Sequence, residues 1–215
     1  MALVVFNTLT RAKEPFRTLE PGVVRMYNCG PTVYGRQHIG NFRSFLFADV
    51  LRRWLEYRGY EVRQVMNITD VGHLVGDADQ GEDKLEKRAR EERLDPWQIS
   101  RENTRAFLED LGTLGIKPAL SYPRATEHIP EMLAIIEGLL ARGYAYQVGG
   151  NVYFDVARFE RYGRLSGNRV EALEAGARVE VNPEKRHPAD FALWKHDPAH
   201  LMKWETRFGP HGFPG

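Results

Sequence analysis

The stretch CGPTVYGRQHIGN, Cys29 to Asn41, connects a short apolar run to an amphipathic helical pattern. The run before it, Val23 to Tyr27, is typical of a β-strand. The pattern after it predicts a helix that begins near His38 to Asn41, and Glu61 to Asn67 predicts a second strand. Two strands joined through a helix form a βαβ unit, so we expect a parallel sheet with a right-handed crossover.

The predicted helix carries an apolar stripe with a period near 3.6 residues. Its members are Phe42, Phe45, Leu46, Val50, Trp54 and Leu55. Arg52, Arg53 and Glu56 lie mostly off this stripe. Gly59 is suited to end the helix, because glycine is favoured just after a helical C-terminus.

Polar residues follow both predicted strands at their carboxyl ends. Cys29 follows the first strand, and Thr69 and Asp70 follow the second. In open parallel sheets, ligands bind in the crevice beyond these ends. The sequence therefore predicts that two distant segments converge on one site.

The composition is that of an ordinary soluble globular protein, with 215 residues, 42% of them hydrophobic and 27% charged. Cys29 is the single cysteine, which excludes a disulfide within the chain. The sequence shows no secretory signal and no apolar run of about 18 residues, so we expect a cytoplasmic protein without a membrane partner. A net charge of +1 neither supports nor excludes binding of nucleic acid.

The second half of the chain differs in character. Thr126 is placed to cap an apolar helix that ends at Gly143. Tyr144 to Asp155 then predicts a β-hairpin around the turn Gly149-Gly150-Asn151. Further along, glycine and proline are frequent, which indicates a region rich in turns.

Each candidate residue has a structural and a functional interpretation. Cys29 is either a small buried residue or a metal ligand, since a thiolate suits zinc. His38 either caps the helix or contacts a phosphate at its N-terminus. Thr69 and Asp70 either bind a polar substrate or form a cap or turn.

Three motifs together resemble the amino-terminal part of the cysteinyl-tRNA synthetases, a family of class I aminoacyl-tRNA synthetases. They are CGPTVY (Cys29 to Tyr34), HIGN (His38 to Asn41) and NITD (Asn67 to Asp70). The resemblance continues through GRLS (Gly163 to Ser166) and LWK (Leu193 to Lys195), and it covers nearly the whole chain. CGPTVY ahead of HIG is a highly specific combination, whereas HIG alone would not be.

The resemblance implies an α/β fold with a Rossmann-like parallel sheet, the first half of a class I synthetase catalytic domain. A connective insertion that contains a β-hairpin would follow it. Residues 1–118 are expected to form the first half, and residues 119–215 the insertion, which ends before the second Rossmann half.

The family joins L-cysteine to AMP at the expense of ATP, with Mg²⁺, and then transfers the cysteine to tRNA(Cys). Attack of a carboxylate on the α-phosphate needs charge stabilisation more than acid or base chemistry. By resemblance, His38 and Asn41 are catalytic, and His38, Gly40 and Asn41 bind ATP. Asn41 occupies the place where many relatives have the second histidine of the HIGH motif.

By the same resemblance, Cys29 is one of four zinc ligands, and Gly30, Thr32 and Thr69 line the cysteine pocket. Zn²⁺ binds a thiolate far better than a hydroxyl, which would separate cysteine from serine. The other three ligands, a KMSKS-type loop and the second Rossmann half would lie beyond Gly215. We therefore expect a truncated chain that neither activates cysteine nor holds zinc tightly on its own.

Two alternative functions remain open at this point. One is a ligase that joins cysteine to an amino sugar in the synthesis of a thiol cofactor. The other is a non-catalytic paralogue that binds tRNA or a protein partner. The intact CGPTVY motif and the residues after NITD argue against the first alternative.

Overall fold

A computed structural model of the protein describes residues 3–72, 84–167 and 182–215. The described residues fall into two compact units. The nucleotide-fold unit, as we call it from its βαβ core, contains residues 18–72 and 84–128, and the sheet unit contains residues 3–17, 129–167 and 182–215. The domain boundary predicted near residue 118 stays a prediction.

The elements follow one another in the order strand, strand, strand, helix, strand, three helices and five strands. They are β1 (Val4–Asn7), β2 (Ala12–Pro15), β3 (Val23–Asn28), α1 (Ile39–Tyr57), β4 (Glu61–Met66), α2 (Lys84–Glu92), α3 (Pro96–Thr113), α4 (Ile129–Ala141), β5 (Ala145–Val148), β6 (Asn151–Phe154), β7 (Phe191–His196), β8 (Trp204–Thr206) and β9 (Gly209–Pro214). The predicted α/β class, with a parallel pair and antiparallel hairpins, is confirmed. No helix in the described part of the chain is long and apolar enough to cross a bilayer.

The predicted βαβ unit is present in the nucleotide-fold unit. Strands β3 and β4 pair in parallel, in continuous register from Val23 opposite Glu61 to Asn28 opposite Met66. The segment at residues 119–125 runs along the other edge of β4, where Met66 N donates to Ser121 O at 3.1 Å. Strand β4 therefore lies between β3 and the segment at residues 119–125, and all three run in parallel.

Helix α1 ends where the sequence indicated. Arg58 is the C-cap, and Gly59 follows with a φ of 88°. A positive φ is strained for residues that have a Cβ atom, and glycine adopts it without this strain. The glycine lets the chain turn back into β4.

Aromatic side chains make the core of the nucleotide-fold unit. Phe45 and Phe107 are 5% and 2% exposed, and their rings meet edge to face with centroids 5.1 Å apart. Phe42 stacks on Phe107 at 6.1 Å, and Met66 brings the sheet into the same cluster. Burial of these apolar side chains and the contacts between their rings stabilise the packing of α3 against the βαβ unit.

The helix predicted from the apolar stripe is present, but half of the stripe's members are exposed. Phe45 and Leu55 are buried, but Leu46, Val50 and Trp54 are 45%, 58% and 44% exposed. Together with Phe47 and Tyr57, they make an exposed apolar face on the helix. Hydrophobic periodicity alone does not tell which of two helix faces finds a partner.

A charged face of α1 packs instead against the loop at residues 115–118. Asp49 is 4% exposed, and its carboxylate accepts from Arg53 Nε at 2.6 Å and from Lys117 N at 2.9 Å. Arg53 also donates to Gly115 O at 2.6 Å, and Arg52 donates to Pro118 O at 2.7 Å. Burial of the Asp49 carboxylate is tolerated because its hydrogen-bond partners are in place.

The sheet unit is antiparallel throughout its described strands. Strands β1 and β2 form a separate hairpin, and five strands pair in the order β5-β6-β7-β9-β8. Helix α4 covers the sheet, and Ile136, Val152 and Trp194 belong to the core between them. The predicted hairpin is confirmed: Val148 lies opposite Asn151, and Gly149 and Gly150 have φ of 58° and 91°, as a two-residue primed turn requires.

One buried carboxylate ties the turn-rich segment to this sheet. Asp190 is 1% exposed and accepts from Tyr146 Oη at 2.8 Å, Val156 N at 2.9 Å and His187 N at 3.1 Å. Tyr146 Oη in turn accepts from Arg186 N at 2.8 Å, and the Arg186 guanidinium lies 4.2 Å from the Tyr146 ring centroid. Burial, reinforced by the Asp190 carboxylate, raises the pKa of Tyr146 to about 12.

We expect Glu56→Gln to lower the free energy of unfolding at pH 7 by about 1 kcal/mol. The hydrogen bond from Lys117 and the contacts with Arg52 lower the pKa of Glu56 from its usual 4.5, against the opposing effect of burial. A lowered folded-state pKa gives stability that is present above 4.5 and is lost as the pH falls below it. Urea unfolding should show the difference between wild type and variant shrinking toward about pH 2.

The matched control is Glu109→Gln, because Glu109 is exposed and lies 3.8 Å from Arg105 on the surface of α3. We expect it to change the free energy of unfolding by at most about 0.3 kcal/mol. A difference for Glu56→Gln that stays constant down to pH 2 would contradict the assigned ion pair.

We expect Tyr146→Phe to destabilise the protein by about 2 kcal/mol, because it leaves the buried Asp190 carboxylate without one donor. The folded-state pKa of Tyr146 lies above its usual 10.0, so its contribution is present below pH 10 and is lost as the pH rises toward 12. Unfolding measured across that range should show the gap between wild type and variant closing. Tyr27→Phe is the control, since Tyr27 is 67% exposed, and a pH-independent gap would count against the buried network.

Candidate active site

A cavity of about 350 Å³ lies where β3 ends and α1 begins. A single segment of the nucleotide-fold unit lines it, with backbone and side chains from Cys29, Gly30, Pro31, Thr32, Tyr34, Gly35, Arg36, Gln37, His38, Asn41, Ser44 and Phe45. This position beyond a parallel strand's carboxyl end is the place predicted for ligand binding.

The histidine of the HIGN segment is the N-cap of α1. His38 Nδ1 accepts a hydrogen bond from Gly40 N at 3.1 Å. An imidazole whose Nδ1 accepts carries its proton on Nε2, so this nitrogen is a donor. The capping interpretation of His38 is therefore correct, and the cap also fixes the tautomer that a bound anion would meet.

Asn41 closes the cap from the other side. Its Oδ1 accepts from His38 N at 3.1 Å, which completes a capping box. With Oδ1 engaged, the group that Asn41 can offer to a ligand is its Nδ2 amide, again a donor. The two side chains thus line the cavity at the positive end of the α1 dipole, an arrangement suited to phosphate.

Gly40 does not line the cavity but makes this arrangement possible. A Cβ at position 40 would lie 2.9 Å from Cε1 and 3.0 Å from Nδ1 of the His38 ring. Any larger residue would push the imidazole away from the Gly40 amide. The glycine is required by the close approach of the ring to the backbone.

Cys29 directly follows the last residue of β3 and is exposed, so its interpretation as a small buried residue is wrong. Its Sγ makes only a weak contact, 3.7 Å from Gly30 O. Within residues 3–72, 84–167 and 182–215, no group of three or more His, Cys, Asp or Glu side chains could hold a metal ion. The described residues therefore offer zinc one thiolate and do not by themselves fit a zinc site.

The three residues predicted for the cysteine pocket lie close together, though in different positions. Gly30 and Thr32 line the cavity, while Thr69 pairs with Thr32 in a parallel bridge just behind it. Val33 N donates to Thr69 O at 3.1 Å, and Thr69 N donates to Pro31 O at 3.0 Å. The ladder of β3 and β4 thus continues past both strand ends and joins the two predicted segments.

Asp70 has a structural task. It is 3% exposed, and its carboxylate accepts from Thr126 N at 3.0 Å and from Thr126 Oγ1 at 2.7 Å. The predicted cap by Thr126 is displaced for this reason: a 3₁₀ turn spans Ala125–His128, and α4 begins only at Ile129. The carboxylate of Asp70, and not the hydroxyl of Thr126, satisfies the amide at this turn.

Several supporting residues escaped the sequence analysis. Gln37 Nε2 donates to Thr32 O and Gly35 O at 3.1 and 3.3 Å, Arg88 donates to Tyr34 O at 3.2 Å, and Asn103 donates to Val33 O at 3.1 Å. Arg36 is exposed and brings a positive charge to the lining of the cavity. Its position two residues before the cap of α1 was the only signal, and sequence alone does not show which way it points.

A family model described as tRNA synthetases class I (C) catalytic domain matches residues 15–215. A cysteine–tRNA ligase of Chlorobaculum tepidum is 51% identical over 100% of this chain and 45% of its own length. A cysteine–tRNA ligase of Thermus thermophilus is 52% identical over the same shares. The chain thus spans about 45% of the length of the curated relatives it matches.

Among solved structures, the ternary complex of Agrobacterium radiobacter K84 agnB2 LeuRS, tRNA and LeuAMS aligns with 66% of this chain and 18% of that one. The identity is 20% and the TM-score 0.48. This likeness is too weak to carry an assignment, which depends instead on the family match over most of the chain and on relatives that share about half of the aligned residues with it. The chain belongs to the family of class I tRNA synthetase catalytic domains of the cysteine type.

Proposed function

We propose that the protein is part of a cysteine–tRNA ligase, which activates L-cysteine with ATP and transfers it to tRNA(Cys). The observation that carries the proposal is that the side chains of His38 and Asn41, each with a donor nitrogen left over, line a cavity at the N-terminus of α1 that Cys29 also lines. The donor side chains suit an anion, and Cys29 presents a thiol to the same cavity. The names of the relatives favour this function over the joining of cysteine to an amino sugar.

In the first step, a carboxylate oxygen of cysteine attacks the α-phosphorus of ATP. An O–P bond to cysteine forms, the bond to the bridging oxygen breaks, and pyrophosphate leaves. Negative charge shifts among the phosphate oxygens, and donors already fixed in place stabilise it without further reorganisation. His38 Nε2 and Asn41 Nδ2 are such donors, they lie at the positive end of the α1 dipole, and Mg²⁺ would accompany the ATP.

In the second step, a hydroxyl of the terminal adenosine of the tRNA attacks the cysteinyl carbonyl. The new ester bond forms and AMP leaves with the electron pair of the broken bond. The reaction needs ATP and tRNA in one place, which is why we propose a cytoplasmic location.

The cysteine end of the site is proposed to consist of Cys29, Gly30, Thr32 and Thr69. A zinc ion held by Cys29 and ligands from elsewhere would distinguish a thiol from a hydroxyl, because Zn²⁺ prefers sulfur. The described residues supply one thiolate to such a site, that of Cys29.

The test is cysteine-dependent exchange of pyrophosphate into ATP by the complete gene product. We expect exchange with cysteine and at least about 100-fold less with serine. Cysteine should then appear on tRNA and not on an amino sugar. Absence of exchange in folded wild-type protein would overturn the proposal and favour a non-catalytic paralogue.

The role of His38 is tested by His38→Asn. Asparagine is a good N-cap, so the free energy of unfolding should stay within about 0.5 kcal/mol of the wild type. The ring donor is lost, and we expect the kcat of exchange to fall by about 100-fold. An unchanged kcat would show that the imidazole does not face the reacting phosphate.

The role of Arg36 is tested against Arg43, which is exposed on α1 and does not line the cavity. Arg36→Ala should raise the KM for ATP by about fivefold, because a single exposed charge contributes about 1 kcal/mol to binding an anion. Arg43→Ala should leave it unchanged. Equal effects of both variants would indicate general electrostatic attraction and no specific contact.

A further inference from the structure

Asn67 follows the last residue of β4 and bridges two strand ends with one side chain. Its Oδ1 accepts from Gly30 N at 3.0 Å, and its Nδ2 donates to Thr69 Oγ1 at 3.1 Å. The orientation of the amide is determined by the Gly30 amide, because a donor there needs the oxygen of Asn67 opposite it. The side chain therefore connects two of the residues predicted to line the cysteine pocket.

The main chain at Asn67 also touches Gly30 directly. A Cβ at position 30 would lie 1.7 Å from Asn67 O and 2.9 Å from its carbonyl carbon. Only glycine fits at that distance, so the turn after β3 rests on the peptide of Asn67. Side chain and main chain of the same residue thus hold the turn from which Cys29 projects.

The hydrogen bond to Thr69 determines what the threonine can offer. Since Asn67 Nδ2 donates to Oγ1, a lone pair of that hydroxyl is occupied, and its proton is left for an acceptor elsewhere. Thr69 is meanwhile fixed by its main-chain bonds to Pro31 and Val33. The bond from Asn67 thus leaves the threonine hydroxyl its proton to donate, the role needed beside a substrate carboxylate.

We propose that Asn67 is a positioning residue of the amino-acid pocket, which orders the Gly30 turn and makes the Thr69 hydroxyl a donor. It touches no reacting atom and acts through these two neighbours. The identity of the substrate in this pocket rests on the proposed function. The ordering of the turn by Asn67 does not depend on it, and this ordering can be measured on the chain without any substrate.

The first experiment uses Cys29 as a reporter, because it is the single cysteine of the chain. A nitroxide attached to Cys29 should give a restricted EPR spectrum in the wild type and a more mobile one in Asn67→Ala. Asn67→Asp should restore the restricted spectrum, because a carboxylate accepts from Gly30 N as the amide does.

The matched control is Asn103→Ala, which removes a hydrogen bond to Val33 O in the same loop but does not touch Gly30 or Thr69. We expect the label at Cys29 to keep its wild-type spectrum. If Asn103→Ala mobilises the label as much as Asn67→Ala, the effect is general loosening of the loop. That result, or an unaltered spectrum in Asn67→Ala, would overturn the proposal.

The second experiment distinguishes the effect of Asn67 on the Gly30 turn from its effect on the Thr69 hydroxyl. It measures pyrophosphate exchange by the complete gene product. Asn67→Ala and Thr69→Val should each raise the KM for cysteine by about tenfold, with the KM for ATP unchanged. The double variant should show little loss beyond that of Asn67→Ala, since Asn67→Ala already removes the bond that holds the Thr69 hydroxyl. Additive losses would overturn that connection.

Asn67→Asp is the decisive variant in this assay. Its carboxylate accepts the proton of Thr69 and turns the hydroxyl away from the substrate. The KM for cysteine should therefore stay raised although the EPR spectrum is restored. A wild-type KM for cysteine in Asn67→Asp would refute the assigned direction of the hydroxyl. If the wild-type protein shows no exchange at all, the proposed function is refuted, and the EPR spectra alone decide whether Asn67 orders the turn.

Discussion

The parallel ladder between β3 and β4 is the interaction on which the site depends. Its hydrogen bonds do not stop at Asn28 and Met66 but continue through Pro31, Val33 and Thr69 beyond the strand ends. A ladder extended in this way leaves little freedom to the backbone of either segment. The lining of the cavity is therefore built on a regular sheet, although the lining itself is irregular.

Structural and functional interpretations turn out not to exclude one another at the start of α1. His38 and Asn41 complete a reciprocal capping box, and each uses an acceptor atom to do so. The atoms left over, Nε2 and Nδ2, are donors that lie at the lining of the cavity. The cap holds both side chains in one rotamer, and a preorganised donor is worth more to a developing charge than a mobile one.

Helix α1 shows how far a hydrophobic pattern can mislead. The charged side chains of Asp49, Arg52 and Arg53 are held by the loop at residues 115–118, while Val50 and Trp54 remain exposed. A buried charge with a full set of partners is stable, and the net gain depends on geometry that no spacing rule contains.

Local patterns in the sequence were sufficient for the parallel βαβ unit, the β-hairpin at Gly149-Gly150 and the segment that would carry the site, because period, turn residues and motif spacing act over a few positions. The sequence left open whether Cys29 is buried, and the tertiary structure exposes it. The engagement of Asp70 with Thr126 and the bridge from Asn67 to Gly30 likewise join residues 56 and 37 positions apart. Such bonds depend on how distant segments pack, and only the tertiary structure decides them.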